Sequence, residues 1–142
     1  MFISKILKVK LVSFTLFLSF IIAPVVAETG LKIATETEIS LVDGIAVDKN
    51  GNFYITLREH NVINRVDTKG IMTHFAGTGE SGFSGDNGPA INAKFKTPAS
   101  LAFDTKGNLY VADRENHRVR KIDTKGHIST FAGTGEAGFS GD

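Results

Sequence analysis

The feature that most constrains this sequence is an internal repeat. The stretch "FAGTGESGFSGD" begins at Phe75 and "FAGTGEAGFSGD" begins at Phe131, so the period is 131 − 75 = 56 residues. The same shift superposes 44–86 on 100–142 without a gap, and 22 of these 43 aligned pairs are identical. A long, gapless repeat indicates an array of supersecondary units, none of which buries its apolar faces alone.

Each unit has the pattern of four short strands in a meander. The runs "SLAFD", "NLYVAD", "RVRKID" and "HISTFAG" are rich in β-branched and aromatic residues. They are separated by "DTKGN", "RENH" and "DTKGH", whose Asp, Asn and Gly residues favour turns. The first two strands are apolar almost continuously, which is typical of a sheet covered on both faces. The pattern predicts an all-β fold in which each sheet lies between two others.

Radial stacking of four-stranded sheets produces a β-propeller. The unit resembles the NHL repeat, whose Gly-Asn turn, "YVAD", "NHRVRKI" and closing glycine are matched within 107–133. The connection "GTGESGFSGDNGPAINAKFKTP" is similar to the inter-blade linker of bacterial exported NHL proteins. The resemblance implies NHL-type blades of a six-bladed propeller, with repeat 1 at about 42–86 and repeat 2 at about 98–142. Repeat 1 departs from the pattern, because Leu57 replaces Asp113 and "HNV" at 60–62 replaces "NHR".

Two units cannot close a ring that needs roughly four to eight blades. The second "GFSGD", at 138–142, is interpreted as a truncated linker, so we expect an N-terminal fragment of a longer product with an incomplete second repeat. The alternative is a complete short chain that assembles a ring from several copies. Two blades leave two apolar sheet faces uncovered, and we therefore expect the chain to be unstable alone and prone to self-association. Such faces carry Leu101, Phe103, Leu109 and Val111.

The first 27 residues have the pattern of an export signal. Three lysines at 5, 8 and 10 precede an apolar run at 11–23, and Val25 and Ala27 have the spacing that a signal peptidase reads. The run is shorter than the roughly 20 residues that span a bilayer, which favours cleavage over an uncleaved membrane anchor. We expect a propeller region at 28–142 that is periplasmic or secreted, without stable membrane insertion.

Charge and cysteine content exclude several classes of function. The chain has 16 Lys and Arg against 15 Asp and Glu, and removal of the three signal lysines leaves 13 against 15, a net charge of −2. A nucleic-acid partner is not expected, because such proteins need a basic footprint. The absence of Cys removes disulfides and a lipidated N-terminal cysteine.

Two motifs match ligand-binding signatures only in part. "GTGESG" at 77–82 fits G-x-G-x-x-G, but "FSGDNGP" follows where that motif needs a helix. "DKNGN" at 48–52 begins like a calcium loop without its later acidic ligand, and a hairpin turn is predicted instead. Asp86 and Asp142 could hold an inter-blade cation, but we expect them to accept backbone hydrogen bonds within the linker.

The histidines give no metal site. None of His60, His74, His117 and His127 recurs at an equivalent position after the 56-residue shift, so no ring of ligands forms around an axis. We expect surface histidines, no metal, no cofactor and no catalytic residue in this chain.

The meander places one candidate site. Strands two and four of a unit end on the same side, so the loop at 113–118 shares a face with the linker after strand four, and loops carry function. The alternative is that Arg114 and Arg118 pair with carboxylates of neighbouring loops. Six residues are candidate ligand contacts: Arg58, Glu59, Arg114, Glu115, His117 and Arg118.

Two functions are open at this stage. The first is an exported, non-enzymatic binding or scaffold propeller for a protein, peptide or glycan. The alternative is a propeller enzyme, a metal-assisted lyase or lactone hydrolase of the kind that related propellers include, with its catalytic residues in further blades. The lack of recurrent histidines or an acidic cluster on the innermost strand favours the first function.

Overall fold

Ten strands and three short 3₁₀ turns make up the described part of the chain, which covers 32–33 and 41–138 in a computed structural model. The predicted signal peptide at 1–27 and the final residues of "GFSGD" lie outside it. No α-helix occurs among the described residues. The strands are β1 (Lys32–Ile33), β2 (Val42–Val47), β3 (Phe53–Leu57), β4 (Val62–Val66), β5 (Ile71–Ala76), β6 (Gly88–Pro89), β7 (Pro98–Phe103), β8 (Leu109–Asp113), β9 (Arg118–Ile122) and β10 (His127–Ala132). The 3₁₀ turns are Arg58–His60, Ala90–Asn92 and Arg114–Asn116.

The strands form two five-stranded sheets, one for each repeat. Their orders are β1-β5-β4-β3-β2 and β6-β10-β9-β8-β7. The predicted four-stranded meanders are confirmed as β2–β5, here called blade 1, and β7–β10, called blade 2. Each sheet also has a two-residue edge strand that the sequence did not predict. β1 and β6 are related by the same 56-residue shift, since 32 + 56 = 88, so the structural repeat begins earlier than the sequence identity does.

Aspartate side chains fix the tight turns between strands. The carboxylate of Asp48 accepts hydrogen bonds from the backbone N–H groups of Asn50 (2.8 Å) and Asn52 (2.9 Å). The carboxylate of Asp104, one repeat later, accepts the equivalent bonds from the residues two and four positions after it. Gly51 has φ +85, a conformation that L side chains rarely adopt. The "DKNGN" segment is therefore a hairpin turn, as predicted.

The core lies between the blades, where β2 packs beside β7. Thr56 donates its hydroxyl to the carbonyl oxygen of Ala99 (3.0 Å) across this contact. The ring of Tyr54 meets Phe75 and Phe103 edge to face, with centroids 4.8 and 5.0 Å apart. The two sheets thus form adjacent propeller blades with one continuous apolar interior.

The linker between β5 and β7 fills the outer part of the same interface. Thr78 donates its backbone N–H to Ala93 (2.8 Å), and Gly85 lies so close to the chain that an added Cβ would be 2.7 Å from the Cα of Ala93. Phe95 is fully buried beneath these turns. The glycines of "GTGESG" open no helix, and only the 3₁₀ turn Ala90–Asn92 follows, which confirms that the dinucleotide motif fails in its context.

Candidate functional site

The predicted face of the propeller is formed by the 3₁₀ turns after β3 and β8 together with the first residues of each linker. We call this surface the linker face. Asn116 donates its side-chain amide to the carbonyl oxygen of Gly82 (2.8 Å), and Arg118 donates to that of Thr134 (2.7 Å). These contacts confirm that the loop after the second strand and the linker after the fourth strand lie together.

Both 3₁₀ turns end in a left-handed residue that holds them rigid. Asn61 has φ 52 and donates its backbone N–H to Arg58, while His117 has φ 49 and donates to Arg114. The side chain of Asn61 also accepts a hydrogen bond from the backbone of Thr97 (3.1 Å), which ties the turn of blade 1 to the linker. The turns therefore present their charged side chains from a fixed backbone.

The arginines of the two 3₁₀ turns, Arg58 and Arg114, differ in their ion-pair partners. Arg58 donates to the carboxylate of Asp43 at 3.2 Å in an exposed pair. The equivalent of Asp43 in repeat 2 is Ala99, since 43 + 56 = 99. Arg114 is exposed, and no carboxylate lies within ion-pair distance of it in 41–138. Arg114 is thus the arginine of this face that is open to a ligand.

The acidic residues and histidine of the turns are also on the surface. Glu115 forms an exposed pair with Lys96 (3.5 Å), and hydrogen bonds from Thr97 and then Lys96 hold the pKa of Glu115 below its usual range. Glu59 and His117 are exposed. The linker face therefore carries both signs of charge on short, ordered turns.

Arg118 is a structural residue as well as a surface one. Its guanidinium donates to the carbonyl oxygens of Asn116 (3.0 Å) and Thr134 (2.7 Å) and lies 3.9 Å from the ring centroid of Phe83. A Cβ added at Gly135 would come within 2.5 Å of this guanidinium. The alternative that Arg118 pairs with a carboxylate was wrong for the described residues, because its guanidinium donates to the carbonyl oxygen of Asn116 in the preceding 3₁₀ turn and to that of Thr134 in the following linker.

A buried ion-pair cluster behind the linker face was not predicted. Arg120 lies 3.3 Å from Asp113 and 2.7 Å from Asp86, and the side chains of Arg120 and Asp113 are entirely buried. Arg120 also donates to the carbonyl oxygen of Ser84 (3.0 Å). Asp113 accepts further hydrogen bonds from the backbone of Lys96 and the amide of Asn116. The cluster joins β8, β9 and the linker into one unit.

The two carboxylates of this cluster have opposite pKa shifts. Burial raises the pKa of Asp113, although Asn116, the backbone of Lys96 and Arg120 favour its ionised form. Burial also acts on Asp86, but hydrogen bonds from Thr130 and Arg120 outweigh it and lower its pKa. The donors to Asp86 are side chains on β9 and β10, so the expectation of backbone bonds within the linker was wrong.

Repeat 1 lacks this cluster. Leu57 stands at the position of Asp113, and Asn64 at that of Arg120. Asn64 donates to the sulfur of Met72 (3.3 Å), and its side-chain oxygen is buried without a hydrogen-bond partner. Blade 1 therefore does not reproduce the polar anchor of blade 2.

A concave site lies on the other side of the sheets, between the hairpin turns. This cleft of about 400 Å³ has apolar walls that include Tyr54, Phe75 and Phe103. Asp48 and Asp104 lie at its rim, where their carboxylates already accept hydrogen bonds from their own turns. Sequence reasoning treated these turns as generic and missed the cleft.

No three acidic or histidine side chains gather into a group that could hold a metal ion in 41–138. No helix in the described segments has the length and apolarity needed to cross a bilayer.

Comparison with known proteins assigns the repeat. The model of the NHL repeat matches residues 95–122, which contain β8, the 3₁₀ turn Arg114–Asn116, β9 and the buried pair of Asp113 and Arg120. Residues 95–122 form an NHL repeat. Among curated relatives, Teneurin-4 of Homo sapiens is 39% identical over 105 residues, which is 64% of this chain and 4% of that protein. The NHL chain thus spans a small part of this relative.

Solved structures confirm the propeller fold of this NHL-repeat chain. A streptogramin B lyase structure superposes with a TM-score of 0.52 at 16% identity, covering 71% of this chain and 30% of the other. An auxiliary nutrient binding protein from Bacteroides thetaiotaomicron superposes with a TM-score of 0.53 at 25% identity, covering 68% of this chain and 26% of the other. The fold therefore occurs in proteins of different function.

Proposed function

We propose that this chain belongs to a non-enzymatic recognition propeller whose linker face binds a protein, peptide or glycan. The observation that carries the proposal is the repeated "RE" turn, which presents Arg58 and Glu59 in blade 1 and Arg114 and Glu115 in blade 2. The turns have the same backbone form in both blades and are held by left-handed residues and by the linker. A ligand that spans both blades would meet charged groups at fixed spacing.

The exposed guanidinium of Arg114 is the principal contact in this proposal. It lies beside Glu115 and His117, which suits a ligand with carboxylate, hydroxyl or amide groups. Phe83 adds a partly exposed aromatic ring to the same face, beside Arg118. Polar groups around an exposed ring are a common arrangement in surfaces that bind peptides or sugars.

In this proposal Arg118 supports the linker face and does not contact the ligand. Its guanidinium donates to the preceding 3₁₀ turn and to the following linker, so its replacement would disturb the surface before it removed a ligand contact. This distinction separates Arg114, a binding residue, from Arg118, a positioning residue.

A comparison of Arg114→Ala with Lys125→Ala tests the proposal. Lys125 lies in the hairpin turn between β9 and β10, on the opposite side of the sheet, and is also exposed. Both variants and the parent chain would be applied in solution to a glycan array. In a second assay they would be immobilised and incubated with exported proteins of the source organism. We expect a ligand that Arg114→Ala binds about 5- to 30-fold more weakly, equivalent to about 1–2 kcal/mol, and that Lys125→Ala binds normally. Equal loss in both variants, or turnover of a substrate that a chelator abolishes, would refute the binding function.

We also propose that the product is exported and that the propeller region begins at residue 28. The support comes from the sequence of 1–27 alone. Export would place the linker face outside the cytoplasm, where glycans and extracytoplasmic proteins are the available ligands. The proposed six blades, of which this chain would supply two, would repeat the turns around one rim of the ring.

A further inference from the structure

Blade 2 contains a site for a guanidinium group, and its own Arg118 fills that site. The guanidinium donates to the carbonyl oxygens of Asn116 (3.0 Å) in the 3₁₀ turn and Thr134 (2.7 Å) in the linker. Gly135 leaves the space for it, because a Cβ added at this glycine would overlap the guanidinium. The site therefore consists of two carbonyl oxygens and a glycine that has no side chain.

Blade 1 has the same backbone arrangement at the equivalent positions. The 56-residue shift gives the equivalents of Asn116, Thr134 and Gly135, which are His60, Thr78 and Gly79. The two glycines have φ +89 and +98, and in both linkers the threonine before the glycine accepts a hydrogen bond of 3.3 Å from the backbone of the following glutamate. A Cβ added at Gly79 would lie 3.7 Å from the carbonyl oxygen of His60. The turn and the linker of blade 1 thus lie together as those of blade 2 do.

Blade 1 differs in that it has no arginine at this position. Val62 replaces Arg118 and is too short to reach the two carbonyl oxygens. Apart from the residues next to Gly79 in the chain, the oxygen of His60 is the only heavy atom of the described residues within 4 Å of a Cβ added there. No backbone N–H of these residues donates to the carbonyl oxygen of His60 or Thr78. We call the space bounded by these two oxygens and Gly79 the Gly79 recess.

We propose that the Gly79 recess binds an arginine side chain of a peptide or protein ligand. This inference rests on the proposed function of the linker face and selects a polypeptide ligand, because a glycan has no guanidinium group. The ligand would donate to His60 and Thr78 as Arg118 donates in blade 2. A guanidinium presents its N–H donors in a fixed planar fork, whereas an ammonium is a compact, strongly hydrated charge. The recess therefore favours arginine over lysine.

The charges around the recess also favour a cation. Glu59 is exposed in the 3₁₀ turn of blade 1, directly before His60, and no Lys or Arg lies within ion-pair distance of its carboxylate in 41–138. The other charged side chains of this turn and the adjoining linker form exposed pairs with each other, Arg58 with Asp43 and Glu80 with Lys94. The carboxylate of Glu59 is thus the group that would attract the guanidinium.

The recess and Arg114 together define a ligand of mixed charge. The recess and Glu59 lie on blade 1, and the exposed guanidinium of Arg114 lies on blade 2. A peptide that crosses the linker face would place an arginine on blade 1 and a carboxylate on blade 2. Blade 2 accepts no second arginine at the equivalent position, because Arg118 already occupies it.

Two peptide libraries test the proposal. Both contain nine-residue peptides with random flanking residues, and the central residue is arginine in one and lysine in the other. The immobilised full chain should retain the arginine library about 10-fold better, because the guanidinium gains two hydrogen bonds to carbonyl oxygens. Val62→Arg fills the recess with a guanidinium of the chain itself and should abolish this preference. Val62→Thr is the matched control, since threonine has nearly the shape of valine and should leave the preference unchanged.

Thermal unfolding of two variants gives a readout without a ligand. Val62→Arg should unfold about 3 °C above Val62→Lys, because both lose the valine and only the guanidinium forms the two hydrogen bonds seen at Arg118. Circular dichroism confirms that each variant is folded. If Val62→Arg does not fold, Gly79→Ala blocks the recess instead, since its Cβ takes the place of the guanidinium.

Three outcomes would overturn the proposal. The first is equal retention of the two libraries by the parent chain. The second is a preference for arginine that survives in Val62→Arg, or in Gly79→Ala where that variant replaces it, which assigns the preference to another surface. The third is equal unfolding midpoints for Val62→Arg and Val62→Lys, which shows that the two carbonyl oxygens do not hold a guanidinium.

Arg114→Ala separates this proposal from the proposed function. It should weaken retention of the acidic members of both libraries and leave the preference for arginine intact. Peptides that need Arg114 but bind equally well with arginine or lysine would refute the recess and support the binding face. A preference for arginine that Val62→Arg abolishes, together with no effect of Arg114→Ala, would support the recess and refute the role of Arg114.

Discussion

The guanidinium of Arg120 lies 3.3 Å from the carboxylate of Asp113, and both side chains are completely removed from solvent. Buried pairs of this kind contribute little net stability against a well-packed apolar alternative, but loss of one partner leaves an uncompensated buried charge. Here Asp86 supplies a second carboxylate, and four carbonyl or amide groups complete the cluster. The pair therefore locks the linker to blade 2 and supports the turn that carries Arg114.

Replacement of Arg120 by methionine should be strongly destabilising. Asp113 would keep its buried carboxylate without a cation, and the expected loss is about 3–5 kcal/mol in the free energy of unfolding. Urea denaturation at a fixed, low protein concentration measures this loss. The double variant Asp113→Leu with Arg120→Asn copies the residues of repeat 1 and should recover part of the loss, because no fully buried carboxylate is left without its cation. A double variant as unstable as Arg120→Met would contradict this account.

Arg118 and Arg114 should differ in their effect on stability. Arg118→Ala removes two hydrogen bonds, to the carbonyl oxygens of Asn116 and Thr134, and the contact with Phe83, with an expected loss of about 1–2 kcal/mol. Arg114→Ala is an exposed substitution and should stay within about 0.5 kcal/mol of the parent chain. Thermal and urea unfolding of the two variants side by side check this difference. Equal stability losses would show that Arg114 also has a structural role.

Asp104 and Asp113 should contribute to the pH dependence of the unfolding free energy with opposite signs. A hydrogen bond from Asn108, with further bonds from its own turn, lowers the pKa of Asp104, so the stability it contributes is present above the unfolded pKa and is lost as the pH falls through the folded value. Burial raises the pKa of Asp113, so the stability it contributes is present below the unfolded pKa and is lost as the pH rises through the folded value.

The measurement is the slope of the unfolding free energy against pH between about pH 3 and pH 6, the range around the ordinary pKa of aspartate. Asp104→Asn should make the slope smaller, because the unfolded parent chain binds the extra proton at this site. Asp113→Asn should make it larger, because at that site the folded parent chain binds the extra proton. If the curves of both variants run parallel to that of the parent chain, neither carboxylate titrates as described.

The fold could be predicted because its determinants are local. Asp48 and Asp104 form turns with residues two and four positions later, and the strands between them have continuous apolar runs. The two-residue strands β1 and β6 could not be predicted, because pairs such as Gly88–Pro89 have no strand propensity and are placed by pairing with a distant strand.

The site could be predicted only in outline. Chain topology placed Arg114 and Arg118 on one face, but the partner of Arg118 is a carbonyl oxygen 16 residues away. Arg120 and Asp86 are 34 residues apart, and no local pattern joins them. One sequence signal was available. Arg120 lies two positions before Ile122 on β9 and therefore on the same face of the strand, which is the face of the core, so burial of this arginine is expected.

Export predicts a defined N-terminus. If 1–27 is a signal peptide, the product recovered from the periplasm or the medium should begin at or near Glu28. N-terminal sequencing and the intact mass of the secreted protein measure this directly. Replacement of Ala27 by a bulky residue such as Phe should block cleavage and retain the precursor in the membrane fraction. Recovery of the uncleaved parent chain from that fraction would contradict the prediction.

Gly44 should not tolerate a side chain, because it lies directly against β7 of blade 2. Its φ is not in the left-handed region, but an added Cβ would lie 2.0 Å from the carbonyl oxygen of Ala99 and 3.0 Å from the Cα of Ser100. The backbone N–H of Gly44 also donates to the hydroxyl of Thr56, which itself donates to Ala99, so β2 cannot move away without breaking these bonds.

Gly44→Ala should therefore force the two blades apart and reduce the free energy of unfolding by about 1–3 kcal/mol, the usual cost of overpacking in a close-packed interior. Ser100→Ala is the matched control, because Ser100 has the same repeat position in blade 2 but is exposed, and it should change stability by less than about 0.5 kcal/mol. Urea denaturation of both variants at one low protein concentration gives the comparison. If alanine is tolerated equally at both positions, the close contact of β2 with β7 does not hold the blades together.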